Sequence, residues 1–192
     1  MVSQIKVNEI IKQSGSSITI GESGDTIDLS NPSSVTLNST MKMTPAFYVQ
    51  KTSNQTVSDN VKTLVTWDDE VYDTDSAFAS NKFTVPSGSA GKYNFYVHLT
   101  LGTSGSYGVL FPRAYIYKNG SSLYMFVGPN NEQGNDAYSV TGTVSLDLAV
   151  GDYIEVYGRN NNDQGTPYFL GKAGDSPNEQ RSWWGGYKVL GV

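Results

Sequence analysis

The sequence predicts an all-β fold, with one main domain behind a short strand-forming arm. Three observations lead there. Only 16% of the residues are charged, whereas 12% are aromatic and 20 are Gly, a balance that suits short strands and tight turns better than long helices. From Pro45 onward, strand-like runs alternate with clusters of Gly, Asn, Asp and Ser at the spacing of a sandwich or barrel. No amphipathic helix of ordinary length competes with them.

The first element is the arm, residues 1–44, which contains no aromatic residue; all 23 aromatics lie between Phe47 and Tyr187. A segment without aromatics contributes little to a packed core, so the main domain is placed at 45–192. Within the arm, IKVNEII fits a short helix or a strand, and so few residues do not decide. Ser17-Ile18-Thr19-Ile20, Thr26-Ile27-Asp28-Leu29 and Ser34-Val35-Thr36-Leu37 repeat one pattern of Ser/Thr, β-branched, polar, aliphatic. They imply three short strands whose aliphatics, among them Ile18, Ile27 and Val35, need cover. Either the arm lies on its own domain or several chains wind together as a stalk, and the repeat favours the stalk.

In the main domain the strands fall at about 46–50, 62–67, 82–85, 92–101, 111–118, 122–127, 139–148, 152–158 and 183–190. Tyr93, Phe95, Val97, Leu99 and Leu101 share one face of the fourth, and Val140, Val144, Leu146 and Leu148 share one face of the seventh,. The polar face of the fourth carries Tyr96 and His98. Lys118-Asn119-Gly120-Ser121 has the Asn-Gly signature of a tight hairpin, and Ala149-Val150-Gly151-Asp152 is a second short reversal. Three other connections are long: 102–110, 128–138 and 159–182. They are alternate connections, so antiparallel strands bring them to one pole, where rigid sandwiches often present binding loops. Tyr107, Asn130, Asn131, Asn160, Asn161, Asn162 and Tyr168 are the candidates there, with Trp183 at the end of the last loop. The asparagine run suits sugar hydroxyls and the aromatics suit sugar rings. For the tryptophans the preferred reading puts Trp184 in the core and Trp183 over a subunit boundary.

Charge and composition exclude several functions. With 13 Lys and Arg against 18 Asp and Glu, the net charge is -5, which gives no electrostatic case for nucleic acid or anionic lipid. Without Cys and with a single His, thiolate catalysis, Cys-ligated zinc and two-His mechanisms are ruled out. No run of 18 apolar residues and no signal-type apolar core occurs in the sequence, so neither membrane insertion nor export through a cleaved signal is expected. Asp68, Asp69, Glu70, Asp73 and Asp75 form the acidic cluster. They lack the Gly-centred spacing of a calcium loop, so a solvated loop is preferred and calcium is the alternative. No other cofactor is expected. His98 lacks an acid or nucleophile partner in the sequence, and no enzyme activity is expected.

PAFYVQ stands as first strand, followed by NKFTVPSGSAGKYNFYVHLTL, AYIYKNGSS, SVTGTVSLDLAVGDYIEVYGRN and WWGGYKVLGV. This order of motifs resembles the complement one-q and tumour necrosis factor-like jelly-roll family. The family phrase Phe-x-x-Pro, Gly, aromatic-x-Phe is met by Phe83, Pro86, Gly91, Tyr93 and Phe95. Leu148, Gly151 and Asp152 supply the Leu-x-x-Gly-Asp phrase, and Trp184, Gly185, Val189 and Leu190 fill the last strand. The resemblance covers about 145 residues and implies a ten-strand sandwich that assembles as a homotrimer, for which Phe47, Tyr96 and Tyr187 are the candidate contacts. The absence of Cys and of a collagen-like stem argues against an extracellular signalling ligand. The segment IKVNEIIKQSGSSITIGESGDTIDL resembles N-terminal regions of structural proteins in tailed bacteriophages, where such domains serve as fibre tips or capsid decorations. The resulting expectation is a non-enzymatic homotrimer on the virion surface, held to a capsid or tail protein by its arm and displaying loops to host-surface glycan. A monomeric carbohydrate-binding module and a glycan-degrading tailspike-type enzyme are the alternatives.

Overall fold

In the computed structural model, which describes residues 43–104, 108–130, 136–172 and 179–189, the period-two alternation becomes two antiparallel sheets. The first contains β1 (Ala46–Gln50), β2 (Gln55–Thr56), β4 (Asp69–Asp73), β7 (Gly91–Thr103), β10 (Ala137–Leu148), β12 (Pro167–Phe169) and β13 (Trp183–Lys188). The second contains β3 (Thr63–Leu64), β5 (Phe78–Ala79), β6 (Lys82–Thr84), β8 (Arg113–Lys118), β9 (Ser121–Val127) and β11 (Tyr153–Arg159). Strand β7 organises the first sheet. Strand β10 runs along one flank of β7, from Gly91 opposite Leu148 to Gly102 opposite Ala137. Strands β13 and β12 share the other flank, opposite Tyr93–His98 and Leu101–Thr103. Strand β1 then pairs with β13, and β4 closes that edge. In the second sheet β11 pairs with β8 on one side and with β6 and β3 on the other, and β9 is the far edge.

The inward positions make the core. Phe47, Phe83, Phe95, Tyr93, Phe169 and Trp184 are fully buried, with Val97, Leu99, Leu101, Ile154 and Val156 around them. Phe47 sits at the junction: its ring meets Trp184 edge-on at 4.8 Å and stacks on Phe83 at 5.1 Å. Each such side chain contributes about 2–3 kcal/mol by leaving water.

Two strand expectations need correction. The run at 62–67 pairs as a strand only over Thr63–Leu64. Beyond that its backbone is satisfied one group at a time: the Val65 N–H donates to the Val156 carbonyl at 2.9 Å, and the Thr66 and Trp67 N–H groups donate to the side-chain oxygens of Gln55 and Asn81. The acidic cluster, read as a loop, is mostly strand β4. Asp and Glu have poor strand propensity, but an edge strand tolerates them and gains protection from further pairing. The Asn-Gly hairpin is as expected, with Asn119 and Gly120 at φ of 52° and 76°.

The register also places the connections. Thr103, Arg113, Val127, Ala137 and Arg159 stand at one pole, since Ala137 is opposite Gly102 and Arg113 is opposite both Val127 and Arg159. The two short turns share the other pole, where the Asn119 amide donates to Asp152 at 2.7 Å and Lys118 pairs with Asp152 at 2.8 Å.

Candidate interaction surfaces

Two surfaces stand out: the outer face of the first sheet and the pole of long connections. The outer face follows from alternation. If Phe47, Val49, Tyr93, Phe95, Val97 and Trp184 point inward, then Tyr48, Gln50, Asn94, Tyr96, His98, Trp183 and Tyr187 point outward. The register aligns them in rows: Tyr72, Tyr48, Gly185, Tyr96 and Thr143 in one, Gln50, Trp183, His98 and Thr141 in the next. Tyr48 lies 6.1 Å from Tyr72 and 6.4 Å from Tyr96, and Tyr96 hydrogen-bonds Tyr72. Burial first, and the Tyr72 contact second, push the Tyr96 hydroxyl well above the ordinary phenol range. Gly185 makes room for this ring, because a Cβ there would meet the Tyr96 hydroxyl and ring carbon and come within 2.8 Å of the Phe47 carbonyl. His98 lies flat on Trp183, centroids 4.0 Å apart, with Nδ1 2.7 Å from the Thr141 hydroxyl. Burial lowers its pKa, so the ring is neutral at pH 7 and adds to the uncharged surface.

Of the sequence candidates for intersubunit contact, Tyr96 and Tyr187 lie on this face. Phe47 does not: its side chain is wholly inside its own core, so it has no surface to offer a neighbour. Ile18, Ile27 and Val35 lie outside the described residues. Trp183, a candidate for the loops and by preference for a subunit boundary, lies on this face stacked on His98, and Trp184 is in the core as preferred. Tyr48 and Tyr72 were missed. Alternation in AFYVQ carries a signal for Tyr48, whereas Tyr72 is hidden in a run of acids and becomes visible only when β4 pairs with β1.

The pole is less open than its composition suggests. Asn160 is fully buried and its amide donates to the Gly102 carbonyl at 2.8 Å. The Asn162 amide donates to the Thr103 hydroxyl at 2.8 Å and to the carbonyls of Gln164 and Gly165, while its N–H donates to Asp59. The Asn161 carbonyl accepts from Leu110 at 2.9 Å, and the Tyr168 hydroxyl donates to the Thr103 carbonyl at 2.8 Å. Asn160, Asn162 and Tyr168 therefore tie the connections together, and the expected sugar-facing role of Asn160 and Asn162 is corrected on that ground. Asn130 is exposed; Tyr107 and Asn131 lie outside the described residues.

The acidic cluster is spread along an edge. Asp68 accepts from the N–H groups of Thr52 and Ser53; burial opposes its charge, but these donors prevail and lower its pKa. Asp73 accepts from Ala77 at 3.0 Å and Phe78 at 2.8 Å, and Asp75 accepts from the Thr74 hydroxyl. Asp68 and Asp73 act as backbone caps. No group of three potential metal ligands occurs among the described residues.

No protein-family model matches the chain, and no curated protein matches it. Among solved structures, the globular domain of the zebrafish complement 1qA protein is similar over 77% of this chain and 99% of that one, with 17% identity and a TM-score of 0.52. The fold is a C1q/TNF-like jelly-roll. Murine APRIL, at pH 8.0, is similar over 75% of this chain and 98% of its own, with 16% identity and a TM-score of 0.50. Eiger TNF from S. frugiperda is similar over 77% and 93%, also with 16% identity and a TM-score of 0.50. At these identities the likeness concerns the jelly-roll architecture, which the sequence motifs had suggested.

Proposed function

We propose that this jelly-roll is a non-enzymatic homotrimer of a bacteriophage particle, attached through residues 1–44 and carrying its long-loop pole outward to host-surface glycan. The observation that carries the trimer is the outer face of the first sheet. Tyr48, Tyr72, Tyr96, Tyr187, Trp183 and a neutral His98 form a pre-arranged aromatic surface larger than a lone sandwich needs, and aromatic surface is what interface cores are enriched in. The similarity to C1q and TNF domains supports the same assembly, and the phage-like N-terminal segment supports the setting.

Light scattering of the full chain is expected to return three times its 20.8 kDa mass. The double variant Tyr48→Ser/Tyr96→Ser is expected to fall to one chain while keeping its β-sheet circular dichroism. A wild-type chain that is monomeric at micromolar concentration would sink the assembly. Antibody against the jelly-roll that fails to label intact particles would remove the virion setting.

A further inference from the structure

The outer face of the second sheet lies on the opposite side of the sandwich from the tyrosine face. Alternation with the buried Ala114, Ile116, Ile154 and Val156 turns Arg113 and Tyr117 of β8 and Tyr153, Glu155, Tyr157 and Arg159 of β11 outward, while Tyr115 on the same side is itself buried,. Arg113 is directly opposite Arg159, and Lys82 of β6 is directly opposite Glu155. Lys62 reaches in from the segment before β3, its Nζ 4.5 Å from the centre of the Tyr115 ring and 5.9 Å from that of Tyr117. Lys82 stands in the same way over Tyr153 at 4.9 Å, and Tyr117 stacks on Tyr157 at 4.1 Å.

The charge on this face runs against the rest of the chain. Lys62, Lys82, Arg113 and Arg159 meet a single acid, Glu155, leaving nine cationic against seventeen acidic residues everywhere else. The four cations are also uncompensated: among the described residues the one ion pair is Lys118–Asp152, at the short-turn pole. Arg159 is held by a neutral partner, with Nε 2.7 Å from Asn60 Oδ1. Arg113 Nε is buried without a partner, an unmet donor on a group that never loses its charge.

We propose that this face binds an acidic polysaccharide, its carboxylates meeting Lys62, Lys82, Arg113 and Arg159 and its sugar rings lying against Tyr117, Tyr153 and Tyr157. The arginine pair and the Lys82 level are four residues apart along β11, about 13 Å. That spacing fits a chain bearing scattered carboxylates between apolar ring faces. Duplex DNA carries one charge per about 1.7 Å and would be repelled by the acidic remainder of the protein. This site lies on the sheet opposite the tyrosine face and reaches the long-loop pole only through Arg113 and Arg159, so it operates in a monomer as well as in a trimer.

The test is titration of the full chain with polygalacturonate, a polymer of uronic acid, beside neutral dextran and duplex DNA at low and moderate salt. Polygalacturonate is expected to bind, to weaken as salt rises, and to bind more tightly to Glu155→Gln. The triple variant Lys62→Gln/Lys82→Gln/Arg113→Gln is expected to lose on the order of ten-fold in affinity with unchanged circular dichroism and melting temperature. Absence of binding, equal binding of dextran or DNA, or an unaffected triple variant would each overturn the assignment.

Discussion

Asp152 shows how a single side chain closes a pole of the sandwich. Hydrogen bonds and charge from Lys118, together with the Asn119 amide and the Ala149 N–H, bring its pKa from 3.8 down to about 2. Because the folded value lies below the unfolded one, the carboxylate stabilises the fold fully above about pH 4 and loses that contribution as pH falls through 2. Solvent reaches this turn, so the contribution is discounted to about 1 kcal/mol. Asp152→Asn is expected to lower the melting temperature by about 3 °C at pH 7, and wild type and variant are expected to converge at pH 2. Thermal unfolding followed by circular dichroism at the two pH values checks this; a constant gap would refute it. The same residue was legible in the sequence as part of the Leu-x-x-Gly-Asp phrase, but its partners were not, because Lys118 and Asn119 reach it only once β8 and β11 pair.

Among the elements, β9 bears most directly on assembly. It forms an edge of the second sheet and is solvent-facing at nearly every position, with Leu123 and Tyr124 each 45% exposed. Apolar edges are normally guarded by charge or covered, as the acids of β4 guard the opposite end of the first sheet. A ring of identical subunits needs two different, complementary patches on each, and for the proposed trimer the exposed apolar β9 edge is the candidate for the second. Tyr124→Lys is therefore expected to dissociate the trimer while leaving the monomer folded, read by light scattering and near-ultraviolet circular dichroism. A trimer unaffected by this charge would place the second patch elsewhere. Strand β9 was clear from its run of Leu, Tyr, Met and Phe, whereas its exposure was not, since hydrophobicity alone cannot separate an edge from a centre. The short strands β2, β5 and β12 were invisible for a related reason: two or three residues carry no period.

At the level of the whole molecule, the proposed trimer ties stability without disulfides to assembly. Burying the tyrosine face in a trimer stabilises the native state by mass action, so the melting temperature is expected to rise with protein concentration. Calorimetry across a hundred-fold dilution checks this, and a melting temperature that does not move would mean that folding and assembly are uncoupled. The sandwich keeps its surfaces apart: a tyrosine-rich face on one sheet, a cationic and aromatic face on the other, with hydrogen-bonded connections at the long-loop pole.

The sequence by itself determined the all-β class, the inward faces of β7 and β10, the Asn-Gly hairpin and the end at which the long connections gather. These are local: each rests on alternation, turn chemistry or strand order within a few dozen residues. Only the tertiary structure decided that Phe47 is core, that Asn160 and Asn162 are structural ties, that Tyr72 joins Tyr48 and Tyr96, and that four cations share one face. Each of those depends on which strand lies beside which, and pairing between residues 50 or 100 positions apart is set by the packing of the whole core.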